Sequence, residues 1–264
     1  MSVVPNRTLW PAPRQLRRIN REFVAYVREG YPRRFWARGV GPRDAIIAAA
    51  ILRMADTLDS LMLLLPARKD LDAAILLRSM FEQMVRLCWV LIDPFERLDK
   101  WQGYTAIEYL KQHRQLERYG IPIFETKADL EAAEAANKEK INMPGMEVMA
   151  GQVDEHWSER IDGLYPKDHP LSFHGLYQIV YRTTSASVHG SLDALNSYLE
   201  PSPPPPTVHL SDQDRMIDYV LGAPILGIAL TVAGNVVDWI DDDQVRRFVD
   251  RASAETTRRR ERRR

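Results

Sequence analysis

A chain of 264 residues with 45% hydrophobic and 27% charged residues is long enough to bury a sizeable core and has ordinary globular composition, which excludes a fibrous or wholly disordered protein. Its single cysteine, Cys88, excludes a disulfide framework and a cysteine-based zinc site, and points to a cytoplasmic protein. The formal net charge is zero, yet the first 43 residues hold ten arginines against Glu22 and Glu29, and Arg258 to Arg264 is arginine throughout except for Glu261. Such basic ends could touch nucleic acid or an acidic surface; the plainer reading is a solvated helix face and a disordered tail.

The chain reads as helical nearly throughout, because no segment sustains a two-residue alternation. A first helix is predicted from about Pro13 to Glu29, with Ile19, Phe23, Tyr26 and Val27 as its apolar stripe and Gly30-Tyr31-Pro32 as its stop. After the connector Gly39-Val40-Gly41-Pro42, a second helix runs from about Asp44 to Leu65 and is stopped by Pro66. A third, from about Asp70 to Ile92, is apolar on most sides and is placed centrally; Asp93-Pro94 ends it. A fourth, amphipathic, spans about Pro94 to Tyr119 and stops at Gly120.

Lys127 to Lys140 is a charged helix with little to bury. Residues 141–170 carry Pro144, Gly145, Gly151, Gly163, Pro166 and Pro170, and read as a long loop with one helical turn near His156-Trp157. The next helix is expected from about Gly175 to Leu199, followed by the stiff connector Pro201 to Pro206. Ser211 then caps a last long helix reaching about Ile240, with a kink at Pro224. Within it, Val220 to Val237 has no charged residue but only just reaches bilayer-crossing length, so a buried helix is preferred to a membrane span. Asp241-Asp242-Asp243 opens a short terminal helix that frays into the arginine tail.

The N-terminus lacks the apolar core of a signal peptide. Short connectors between the second, third and fourth helices imply antiparallel neighbours, hence an all-α, up-and-down helical bundle over residues 44–250. Residues 1–43 form a basic N-terminal helix and connector, and residues 251–264 the tail.

Two helices carry candidate chemistry. On the third, Arg78, Glu82 and Arg86 fall at i, i+4 and i+8 and share one face. Charges on so apolar a helix either line a cavity or form an ion-pair ladder that fixes register. On the helix after the long loop, Arg182 and His189 stand seven residues apart, on the same face of an α-helix, with Tyr181 and Ser185 on that side and Gly190 leaving room beside the histidine. Arg182 would hold a phosphate and His189 would act as general acid or base; the plain alternative is a satisfied core histidine with Arg182 paired to an acid such as Glu82.

No other pattern is chemically specific. There is no Glu-x-x-His pair, no phosphate-binding or dinucleotide glycine fingerprint and no Gly-x-Ser-x-Gly elbow, so no cofactor is called for. His156, His169 and His174, with Asp154 and Asp168 nearby, could bind a metal, but their spacing matches no known ligand motif.

Leu77-Arg78-Ser79-Met80-Phe81-Glu82 resembles the Leu-Arg-Ser-Leu-x-Glu helix of a widespread bacterial family of unknown function. Tyr181 to His189-Gly190 resembles the Ser-x-x-x-His helix found downstream in the same proteins. The resemblance runs from the second helix to Leu199. That family is in turn distantly similar to HEPN domains, helical bundles that often act as metal-independent endoribonucleases in toxin–antitoxin and phage-defence systems. Their motif is an arginine, four to six residues and a histidine; Arg182 and His189 have six between, and Thr183 supplies the polar residue often found after the arginine. Arg78 and Glu82 lie outside that motif.

The resemblance implies cleavage or binding of RNA, a homodimer that brings two Arg/His sets to one cleft, and a cognate antitoxin; the chain's own hydropathy implies no membrane partner. Two other readings stand beside it. One is a non-catalytic binding or regulatory module, in which Arg78, Glu82, Arg86, Arg182 and His189 line a pocket for a small anion such as a nucleotide. The other is a scaffold whose polar core residues are structural only.

Overall fold

The computed structural model describes residues 14–37, 41–67, 69–120, 127–137, 143–161, 164–167, 169–182, 184–185, 199–200, 207–208, 216–237, 240 and 242–261. They form helices α1 (Arg14–Ala37), α2 (Pro42–Leu64), α3 (Asp70–Val90), α4 (Pro94–Arg118), α5 (Lys127–Asn137) and α6 (Met146–Trp157). The short α7 (Phe173–Leu176) runs directly into a π-helical segment, Tyr177–Arg182, and α8 (Met216–Gly234) and α9 (Asp242–Glu261) complete the all-α fold. The one extended feature among the described residues is a two-residue antiparallel ladder, β1 (Leu199–Glu200) against β2 (Thr207–Val208), with Leu199 opposite Val208. Leu199 therefore belongs to this ladder and not to the end of a helix. The expected cap Ser211 and the proline run lie outside the described residues.

The first four helices follow the punctuation of the sequence. Pro42 sits in the first turn of α2, where its missing N–H costs nothing. The Asp93 side chain accepts from the Glu96 amide at 3.2 Å and caps α4, and Gly120, at φ 68°, ends it in the left-handed conformation that glycine tolerates. α1 departs from expectation by continuing through Gly30-Tyr31-Pro32 to Ala37. Tyr31 is 1% exposed and meets Tyr26 edge-on at 5.6 Å, so burial of this ring outweighs the helix-breaking tendency of its neighbours.

α1 and α2 are antiparallel: Arg28 reaches Asp56 and Asp59 at 2.9 and 2.8 Å, and the Asn20 amide reaches the Met62 sulfur further down. α3 returns beside α2, and α8 packs against α1, α2, α3 and α9. Residues 221–230 of α8 are all buried, so the uncharged stretch is the centre of the core. Among the described residues no helix is long and apolar enough to cross a membrane. α9 is twenty residues long, not short, and extends through the arginines to Glu261. It is held to α1 by a stack of Phe23 on Phe248 at 4.8 Å and by the Arg251–Glu22 pair at 2.6 Å.

The largest difference lies in the middle. Where one turn was expected in a loop, α6 forms three turns, with Met149, Ala150, Val153 and Trp157 buried against α3. Flanking glycine and proline mask this four-residue apolar pattern in the sequence. Two indole contacts fix the packing: Trp89 donates to the Gln152 side chain at 2.7 Å, and Trp157 donates to the Cys88 carbonyl at 3.1 Å.

Candidate functional site

α6 positions the segment that carries Arg182. Asp154, 1% exposed, accepts the Phe173 and His174 amides at 2.9 and 2.7 Å and so caps α7 from another helix. Burial holds its carboxyl above the usual aspartate value, while these two amides pull the other way. Ser172 accepts the Gly175 amide at 3.0 Å and donates to the Lys167 carbonyl at 2.8 Å. Gly175 is required by crowding: a Cβ there would fall 2.4 Å from the His169 carbonyl oxygen.

The chain then widens into the π turn, Tyr177–Arg182. A π turn holds more residues than an α turn, so side-chain directions after it are rotated from those of a regular helix. Tyr181 and Ser185 consequently face α3. Tyr177 stacks on Tyr181 with centroids 5.1 Å apart, and its hydroxyl lies 3.5 Å from Glu147 of α6. Burial and the Glu147 charge push the Tyr177 hydroxyl pKa up.

Arg78 of α3 receives this face. Its side chain is nearly buried, and it donates from Nε to Glu82 at 3.0 Å and from Nη1 to Ser185 at 3.1 Å. Its guanidinium carbon sits 4.1 Å from the Tyr181 ring centroid. Glu82 is shared with Arg86, at 3.4 Å. Arg78, Glu82, Arg86, Tyr181 and Ser185 thus form one cluster in which two cations share one carboxylate.

Arg182 does not join them. It is exposed, and its Nη1 donates to Gln178 at 2.9 Å; Gln178 in turn contacts the His174 ring at 3.2 Å. The expected common face of Tyr181, Arg182 and Ser185 is therefore divided, and the pairing of Arg182 with Glu82 is not formed. His189 lies outside the described residues, as do Thr183 and Gly190.

The loop histidines are engaged one by one. His169 accepts the Leu171 amide at 3.1 Å and stacks on Tyr165, while His156 packs edge-on against Trp157, with burial lowering its pKa. Among the described residues no three histidine, cysteine or acidic side chains converge as a metal site would require. Burial pushes the Cys88 thiol pKa far up, which leaves it no nucleophilic character at neutral pH.

Tyr177 and Gln178 were not singled out by sequence reasoning, and Asp154 and His174 were considered only as metal ligands beside the other loop histidines, not as the cap and neighbour of the arginine segment. The spacing of Tyr177 and Tyr181 was the one available signal, since aromatics four apart meet on a helix.

Fold and site together define an all-α bundle with a polar clamp between its central helix and an irregular helical segment. Residues 44–204 match a family described as of unknown function (DUF5677). The match covers more than half of the chain and includes both halves of the clamp, and the chain belongs to that family. No curated protein and no solved structure matches it.

Proposed function

We propose that this protein binds and cleaves RNA through Arg182 and His189. The observation that supports this reading is the exposure of Arg182: its guanidinium is steadied by Gln178 and carries no acidic partner among the described residues. A solvent-facing guanidinium with donors to spare suits a phosphodiester oxygen. Arg182 would hold the phosphate and stabilise its developing charge. His189 would take the proton of the ribose 2′-hydroxyl as that oxygen attacks phosphorus, or give a proton to the departing 5′-oxygen. The Arg78 clamp would fix the segment from which both project. A homodimer would bring two such sets to one cleft, and a cognate antitoxin of a toxin–antitoxin or phage-defence system would restrain them.

Expression of wild type, Arg182→Ala and His189→Ala in a bacterial host, with total RNA run on a gel, tests this. RNA fragmentation by wild type alone is the expected result. Purified His189→Ala cleaving RNA as fast as wild type would refute the mechanism.

A second reading is favoured by one observation, the sharing of Glu82 between Arg78 and Arg86. The cluster holds one more cation than anion, and a small anionic ligand such as a nucleotide would balance it. That reading predicts a thermal shift with nucleotides, abolished by Arg86→Ala, and no RNA turnover.

A further inference from the structure

The start of α1 and the last turn of α9 are more than 200 residues apart in the sequence, and the fold brings these two helix ends to one place. Phe23 stacks on Phe248, whereas Glu22, one residue earlier, pairs with Arg251, three residues later, so α1 and α9 run antiparallel. From Glu22 to Arg14 is eight residues, and from Arg251 to Arg258 is seven. At about 1.5 Å per residue these are roughly 12 and 10 Å in the same direction. The start of α1 and the last turn of α9, Arg258 to Arg260, therefore lie level at one end of the bundle.

The α1 side of this end is built for exposure. Leu16, Ile19 and Phe23 bury one face, while Arg14, Arg18 and Arg21, at i, i+4 and i+7, line the opposite one and are all exposed. Glu22 is the one acid on this stretch of α1. Glu22 is shared between Arg18 at 3.3 Å and Arg251 at 2.6 Å. Among the described residues, Arg14 and Arg21 meet no acid. Further along the same helix the fold behaves differently, giving Arg28 two aspartates, Asp56 and Asp59. α3 starts at this same end, and Arg78 lies eight residues from its start, about 12 Å, so the clamp occupies the same half of the bundle.

We infer that the end formed by α1 and α9 is a docking surface for the phosphate backbone of RNA. The start of α1 presents Arg14, Arg18 and Arg21 on one exposed face with Glu22 as the one acid on that stretch of helix, on a protein whose net charge is zero, and a linear polyanion fits such a surface. The choice of RNA over other polyanions rests on the function proposed above; the surface itself does not. Backbone contacts of this kind carry no sequence preference and add affinity that falls with salt.

The test is binding of a fluorescent 20-residue oligouridine to the full chain across a salt series. Wild type is expected to bind, with log affinity falling linearly against log salt. Arg14→Gln with Arg21→Gln breaks no ion pair among the described residues and is expected to flatten that slope by about 1.4, with thermal stability unchanged. Arg14→Lys with Arg21→Lys keeps the charge and is expected to bind as wild type. A wild-type slope for the Gln variant overturns the inference, as does absence of oligouridine binding beside binding to phosphatidylserine vesicles. His189→Ala separates the two claims. If RNA is not cleaved by wild type, yet the oligonucleotide is bound in the salt-dependent way described, the catalytic reading fails and the surface stands.

Discussion

The Arg78 guanidinium sits over the Tyr181 ring, 4.1 Å from its centroid, and the same side chain bonds Glu82 and Ser185. Three kinds of contact converge on one nearly buried cation, and two of them cross from α3 to the segment carrying Arg182. Glu82 is what makes burial of that cation tolerable. Glu82→Ala is expected to destabilise the fold by about 2 kcal/mol, less than the 3–5 kcal/mol of a fully buried pair because both partners retain some water. Urea unfolding of the variant beside wild type measures this, and an unchanged midpoint would show that the pair contributes nothing.

Arg182→Ala is expected to behave in the opposite way. The side chain is exposed and bonds only Gln178 among the described residues, so thermal stability should stay within about 0.5 kcal/mol of wild type. RNA cleavage should fall by a factor of 100 or more, roughly what a lost charge stabiliser costs. A variant that loses stability but keeps cleavage would reverse the roles assigned to Arg78 and Arg182.

Gly175→Ala forces a methyl group to within 2.4 Å of the His169 carbonyl oxygen and 2.7 Å of the Pro170 backbone. Backbone cannot swing aside as the end of a long side chain can, so the expected cost is about 2–3 kcal/mol. Differential scanning calorimetry on the purified variant reads this directly. A wild-type transition would mean that the turn before α7 relaxes freely.

Asp154 gives a pH signature. Its folded-state pKa is raised by burial, so the folded chain holds this proton more tightly than the unfolded chain does. Stability from this group is therefore greatest at low pH and falls as pH rises from about 4, the unfolded value, through the raised folded value. Asp154→Asn removes the titration and keeps one carbonyl acceptor for the α7 amides. Its deficit against wild type should shrink as pH rises across that window and then level off. Urea midpoints at half-unit steps from pH 4 to 8 check this, and a difference that stays constant would contradict the burial effect.

How far the sequence foretold this arrangement varies with the kind of signal. α2, α3 and α4 were legible within two residues, because Pro66, Asp93-Pro94 and Gly120 bound long apolar patterns. The Arg78-Glu82-Arg86 ladder was legible too, since spacing along one helix fixes it. α6 was not, because its apolar residues are few and its neighbours are glycine and proline. The contact of Arg78 with Ser185 joins residues 107 positions apart, beyond the reach of any local pattern. The π turn misled most directly. An α-helical period placed Tyr181, Arg182 and Ser185 together, and the wider turn sent Arg182 outward.

The cap that Asp154 supplies to α7 has a consequence for how the arginine segment holds together. α7 is four residues long and could not persist in isolation, so its first amides find their acceptor nineteen and twenty residues upstream. Undocking α6 would remove Asp154, Glu147 and the Trp157 anchor in one event. The arginine segment would then melt with α6 as a single cooperative unit, so amide hydrogens of 149–157 and 176–182 should exchange with a common opening free energy below that of α3 and α8.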